Sequence, residues 1–148
     1  MTDRPVLNHV ALSMDPGLLD DRGRKEILDF YGDVFGWREA DNSGESGNPL
    51  ILYTGAYAQF VYLLPGEPYL TSPALDHFGV LVGTVDELRA TVDRAKQWQA
   101  RDERVRIIDV KSRVTQGPAD DFTLTSAYIG FVLPLMVELQ HLERHPRA

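Results

Sequence analysis

The chain has 148 residues, 43% of them hydrophobic and 25% charged, which suits a single domain with one sizeable core. A net charge of −7 argues against nucleic acid or an anionic membrane as partner, and the lack of cysteine excludes disulfides, thiolate zinc sites and a cysteine nucleophile. No secretory leader is visible after Met1 and no apolar run approaches the roughly 20 residues of a membrane span, so a cytoplasmic protein is expected.

Val6 to Ser13 reads as a strand, with Val10 and Leu12 on one face and Leu7, His9, Ala11 and Ser13 on the other. Met14 to Gly23 is a loop, long for a strand-to-helix link. Asp20 or Asp21 caps a helix from about Arg22 to Phe35, whose stripe is Ile27, Leu28, Phe30, Tyr31, Val34 and Phe35, and Gly36 stops it. A short strand, Trp37 to Ala40, precedes a turn-rich loop, Asp41 to Pro49. Leu50 to Thr54 and Tyr57 to Leu64 read as two strands around Gly55-Ala56. Pro65 to Pro73, with three prolines and a glycine, is the linker.

The pattern then restarts. Leu75 to Gly83 is a strand with Phe78, Val80 and Val82 on one face and His77 on the other. Thr84-Val85-Asp86-Glu87 is a capping box, opening a helix to about Gln99. Arg104 to Val110 is a strand, Lys111 to Asp121 a polar loop and candidate lid, Phe122 to Ile129 and Leu133 to Leu142 the last strands, and Glu143 to Ala148 a polar tail. The order is strand, helix, three strands, repeated: module one spans about 6–64, the linker 65–73 and module two about 74–142. Leu7-Asn8-His9-Val10-Ala11 aligns with Leu75-Asp76-His77-Phe78-Gly79 at an offset of 77 − 9 = 68.

The last strand carries one carboxylate, Glu138, between apolar neighbours. Val137 and Leu139 share one face; Met136, Glu138 and Gln140 share the other. A carboxylate buried there needs a partner, either a cation of the chain or a metal. His9 and His77 are either hydrogen-bonded core histidines or ligands. Gln140 is either a partner of Glu138 or a cavity wall. Tyr57, Phe60, Tyr62, Tyr69 and Tyr128 are either strand packing or the lining of an aromatic cavity. His141 and His145 read as surface residues.

These openings, with "LDFYGDVFGW" in the first helix and "MVELQ" near the end, resemble the vicinal oxygen chelate superfamily, the relatives of glyoxalase, bleomycin resistance proteins and extradiol dioxygenases. The resemblance runs from Leu7 to His141 and implies an α+β fold: two βαβββ modules in one chain, with curved mixed sheets around a cavity. It also implies metal ligands at His9, His77 and Glu138, a 2-His-1-carboxylate set that leaves coordination positions open. Many glyoxalase I enzymes carry a fourth ligand, usually glutamate, where Tyr62 stands here, which favours the three-ligand members. Tyr62 is then the candidate catalytic group, and Gln140, Phe60 and Tyr128 surround the site. The family's usual Asp-Pro-Asp-Gly-Asn turn before the final strand is replaced by Phe131-Val132-Leu133-Pro134.

The resemblance implies an enzyme, expected as a homodimer. A divalent metal (iron, zinc, nickel or manganese) would chelate a small oxygenated substrate and act as Lewis acid, or activate dioxygen if it is iron. The alternative is a metal-free, antibiotic-sequestering protein like the bleomycin-resistance members, for which net acidity and tyrosines suit an aromatic or cationic ligand. A third reading is a structural or regulatory domain whose histidines are merely packed.

Overall fold

The computed structural model describes residues 4–147. In chain order the elements are β1 (His9–Met14), a 3-10 turn at Pro16–Leu19, α1 (Asp21–Phe35), β2 (Arg38–Glu39), β3 (Leu50–Tyr53), β4 (Phe60–Pro65), β5 (His77–Leu81), α2 (Val85–Gln99), β6 (Arg106–Gln116), β7 (Asp120–Gly130) and β8 (Met136–Pro146). They divide into two compact units, residues 1–71 and 72–148. Each unit holds one helix and one four-stranded mixed sheet, ordered β1-β4-β3-β2 and β5-β8-β7-β6. In each, the first strand pairs in parallel with the last, and the remaining pairs are antiparallel. The fold is α+β, and the repeat legible in the sequence is a repeat of topology.

In the first unit, Asp20 caps α1 by accepting a hydrogen bond from the Gly23 amide at 2.7 Å. Gly36 ends it in the left-handed region at φ 72°, which costs glycine little. The helix buries Ile27, Phe30, Tyr31 and Val34 completely, in a core that also takes Leu12, Met14, Leu50, Leu52, Val61 and Leu63 from the strands. Fully burying such a side chain contributes about 1.5–3 kcal/mol. The loop expected at Met14 to Gly23 contains the 3-10 turn, whose Leu18 carbonyl lies so close to α1 that a Cβ on Gly23 would sit 2.1 Å from it. The turn-rich segment 41–49 is pinned by Arg24, which is only 7% exposed. Its guanidinium donates to the carbonyl oxygens of Asn48 (2.8 Å) and Gly44 and reaches Glu39 and Ser43 at 3.5 Å.

In the second unit, Thr84 caps α2, its hydroxyl accepting from the Glu87 amide at 3.1 Å. Leu88, Val92 and Ala95 face a core shared with Ala127, Ile129, Phe131, Val137 and Leu139. Thr84→Ala is expected to cost about 1 kcal/mol, read as a lower urea midpoint with an unchanged slope.

Two sequence-based expectations fail here. Lys111 to Asp121 is not a polar loop or lid: β6 continues to Gln116, β7 starts at Asp120, and only a tight turn remains. The tail from Glu143 is strand through Pro146, Ala148 lying outside the described residues. The cause is cross-strand polar pairing. Ser112 and Thr125 hydroxyls meet at 2.9 Å, Thr123 meets His145 at 2.8 Å, and Asp120 and Asp121 pair with Arg144 and Arg147. Among the described residues, no helix is long and apolar enough to cross a membrane.

Candidate functional site

The parallel register of β5 and β8 sets His77 opposite Met136 and Gly79 opposite Glu138. His77 and Glu138 therefore lie diagonally across one face. Glu138 is 6% exposed and both its oxygens are engaged. The Tyr128 hydroxyl donates to Oε1 at 2.8 Å, and the Gln140 amide donates to Oε2 at 2.8 Å. The register of β7 against β8 puts Tyr128 directly opposite Glu138. His77 Nε2 lies 3.3 Å from Oε2, and its ring meets Tyr128 edge-on at 4.9 Å.

The second nitrogen of His77 decides what this contact is. Nδ1 is 2.8 Å from the Leu75 carbonyl oxygen, which can only accept. Nδ1 thus carries a proton; a neutral ring would then present the lone pair of Nε2 to the carboxylate oxygen, whereas a protonated ring would donate to it. Two acceptors at that separation repel unless a proton or a cation joins them. Ligands about 2.0–2.2 Å from one ion stand roughly 3–3.5 Å apart at tetrahedral or octahedral angles, which matches the observed spacing. The outward atoms are tied as those of metal ligands are, Nδ1 by the Leu75 carbonyl and Oε1 by the Tyr128 phenol, while the Gln140 amide bonds the inward Oε2 itself. The residues present fit a divalent metal; an imidazolium–carboxylate ion pair is the competing occupant.

The Tyr128 phenol is held above its ordinary value near 10, first by the hydrogen bond it donates to Glu138, then by burial, then by repulsion from that carboxylate. A raised folded-state pKa adds stability below pH 10 and loses it as pH rises through the folded value. In metal-free protein, ultraviolet titration is expected to show Tyr128 ionising late, above pH 10. That late step should vanish in Tyr128→Phe and move back toward pH 10 in Glu138→Gln.

The first unit repeats half of this arrangement. His9 Nδ1 is 2.7 Å from Asn8 Oδ1, which leaves its Nε2 bare as well. Its ring lies parallel to Phe60 at 4.7 Å. In the β1–β4 register, Ala11 faces Tyr62 as Gly79 faces Glu138, so half-buried Tyr62 takes the place of the carboxylate. The structure brings His77, Glu138, Tyr128 and Gln140 together, whereas His9, Phe60 and Tyr62 belong to the other unit. Among the described residues, no three histidine, aspartate or glutamate side chains are gathered as a metal group.

Other candidates fall elsewhere. Tyr57 is fully exposed and Tyr69 is 42% exposed. His141 Nδ1 sits 3.1 Å from the Val82 carbonyl oxygen, half-buried rather than on the surface. Sequence reasoning offered Tyr128 as strand packing, a cavity aromatic or a neighbour of the site, without its bond to Glu138, and overlooked Arg24. The direct pairing of Tyr128 with Glu138 follows from the β7–β8 hairpin register, which the unusual Phe131–Pro134 turn concealed.

Comparison with known proteins supplies the family. Residues 8–122 match the model of the Glyoxalase/Bleomycin resistance protein/Dioxygenase superfamily. That span ends before β8, so it does not include Glu138. No curated protein matches the sequence. Among solved structures, lactoylglutathione lyase from Agrobacterium tumefaciens is 18% identical with a TM-score of 0.56, covering 95% of this chain and 96% of that one. A variant of the fosfomycin resistance protein FosX from Listeria monocytogenes, complexed with Mn(II) and 1S,2S-dihydroxypropylphosphonic acid, is 16% identical with a TM-score of 0.61, covering 95% and 93%. At these identities the likeness is one of fold, and it agrees with the family match: the chain belongs to the glyoxalase/bleomycin resistance protein/dioxygenase superfamily, the vicinal oxygen chelate proteins.

Proposed function

We propose that this chain is a metal-dependent enzyme, with His77, Glu138 and His9 as the ligands of one divalent ion and a small oxygenated molecule as substrate. The observation that carries the reading is His77 Nε2 facing Glu138 Oε2 at 3.3 Å, with His77 Nδ1 bound to the Leu75 carbonyl and the carboxylate held by Tyr128 and Gln140. His9 joins them by its matched place on the first strand of its own unit and its equally bare Nε2. When bound, the metal supplies a Lewis acid that stabilises negative charge developing on substrate oxygen. Tyr128 and Gln140 fix the carboxylate's orientation, and the Leu75 carbonyl fixes the imidazole tautomer. The Gln140 amide cannot move a proton, so acid–base work falls to substrate oxygens or to Tyr62, whose phenol takes the place of a fourth ligand. The relatives' lactoylglutathione lyase and fosfomycin resistance activities mark the range of chemistry to screen. We place the enzyme in the cytoplasm as a homodimer, supported by its cysteine-free composition and by the exposed apolar Leu7, Leu75 and Leu81.

Titration of metal-free protein with Co(II) tests this. One equivalent should develop visible bands of nitrogen–oxygen coordination, and Gln140→Leu should weaken uptake by about 10–100-fold through loss of the amide support. Absence of any bands at millimolar Co(II) would refute the site.

A further inference from the structure

The first unit contains a cleft of about 560 Å³. It lies where Tyr53, at the end of β3, pairs with Phe60, at the start of β4, and where Arg38 of β2 pairs with Tyr53. Paired residues share a face, so Arg38, Tyr53 and Phe60 stand side by side. Tyr57 and Asp41 complete the lining used here. The volume falls within the range of about 300–1,000 Å³ typical of small-molecule sites.

Its chemistry is specific. Two flat surfaces, Tyr53 and Phe60, form the apolar wall, and the Phe60 ring is itself stacked on His9, parallel at 4.7 Å. Arg38 supplies a placed positive charge, its guanidinium held over the Tyr53 ring at 4.8 Å. Asp41 Oδ1 is 3.9 Å from it, outside hydrogen-bond distance, and the Arg38 and Asp41 side chains are 66% and 96% exposed. The guanidinium fork is thus oriented by an aromatic ring while keeping donors for an incoming acid.

We propose that this cleft is a binding site for a small aromatic or similarly flat molecule bearing a carboxylate or phosphonate, with the flat body against Tyr53 and Phe60 and the acid on Arg38. Insofar as His9 is a metal ligand, which rests on the function proposed above, the cleft is the specificity pocket of that enzyme, because Phe60 links it directly to His9. The substrate is then an organic acid rather than the cation that the chain's net charge of −7 would suggest.

The test is a nitrogen-15 NMR titration of the full-length protein with benzoate and phenylphosphonate, beside benzylamine and benzyl alcohol, with metal content measured on the same samples. Both acids should shift the Tyr53 and Phe60 amides, and benzylamine should not. Arg38→Gln should weaken acid binding about tenfold or more, with Arg38→Lys in between, since the lysine keeps the charge but not the fork. Equal binding to Arg38→Gln, preference for benzylamine, shifts confined to β5 and β8, or no shift with any probe would each overturn the proposal. Metal present without acid binding sinks the cleft and leaves the enzyme reading standing; acid binding without metal does the reverse.

Discussion

Glu138→Ala is expected to lower divalent metal affinity by more than about a hundredfold, beyond the range seen for loss of a supporting residue. Glu138→Gln should do nearly the same, because a neutral amide lacks the charge and presents a donor to an ion. Fold stability moves separately. The substitution leaves the Tyr128 hydroxyl and the Gln140 amide without their acceptor, but both side chains are only half-buried, so water can replace it. With a neutral His77 it also removes two facing acceptors, Nε2 and Oε2, at 3.3 Å. Metal-free Glu138→Ala should therefore unfold within about 1–2 kcal/mol of the parent. If the carboxylate instead served as partner to a protonated His77, the variant would lose several-fold more stability and metal uptake would be absent in both proteins. Parallel isothermal titration and urea denaturation separate these outcomes.

Arg24→Ala is expected to be the most damaging substitution for the fold of the first unit, at about 3 kcal/mol by urea denaturation. Its guanidinium is buried at 7% exposure and holds carbonyl groups of Gly44 and Asn48 that no regular element satisfies. Removing it strands those carbonyls and frees segment 41–49. Arg24→Lys should recover less than half of the loss, because an ammonium cannot reproduce the fork that spans both carbonyls together with Glu39 and Ser43. Hydrogen exchange should locate the opening at residues 41–49 and at the start of β3, where the Ile51 amide donates to Ser43.

The topology was legible because local signals agreed with tertiary need. Asp20 and Thr84 cap the helices as their chemistry requires, Gly36 takes the left-handed turn, and the His9 and His77 strands alternate as half-buried strands do. The equivalence of Tyr62 and Glu138, inferred by aligning short runs, matches the two parallel registers. What escaped depended on partners distant in sequence. Lys111 to Asp121 looks like a loop because its polar residues carry no apolar alternation; Arg144 and His145 of β8, with Arg147 just past its end, pair with β7 there. Arg24 lies on a helix face that reads as solvent-exposed, and only the return of segment 41–49 buries it. The contact of Tyr128 with Glu138 needed the hairpin register rather than either residue's own neighbourhood.

The most direct test of the metal centre is elemental mass spectrometry on untagged protein purified without chelator, beside His9→Ala, His77→Ala and Glu138→Ala. The account predicts close to one equivalent of a transition metal per parent chain, lost in all three variants. No metal in the parent, and none taken up when iron, zinc, nickel and manganese are supplied, would contradict it.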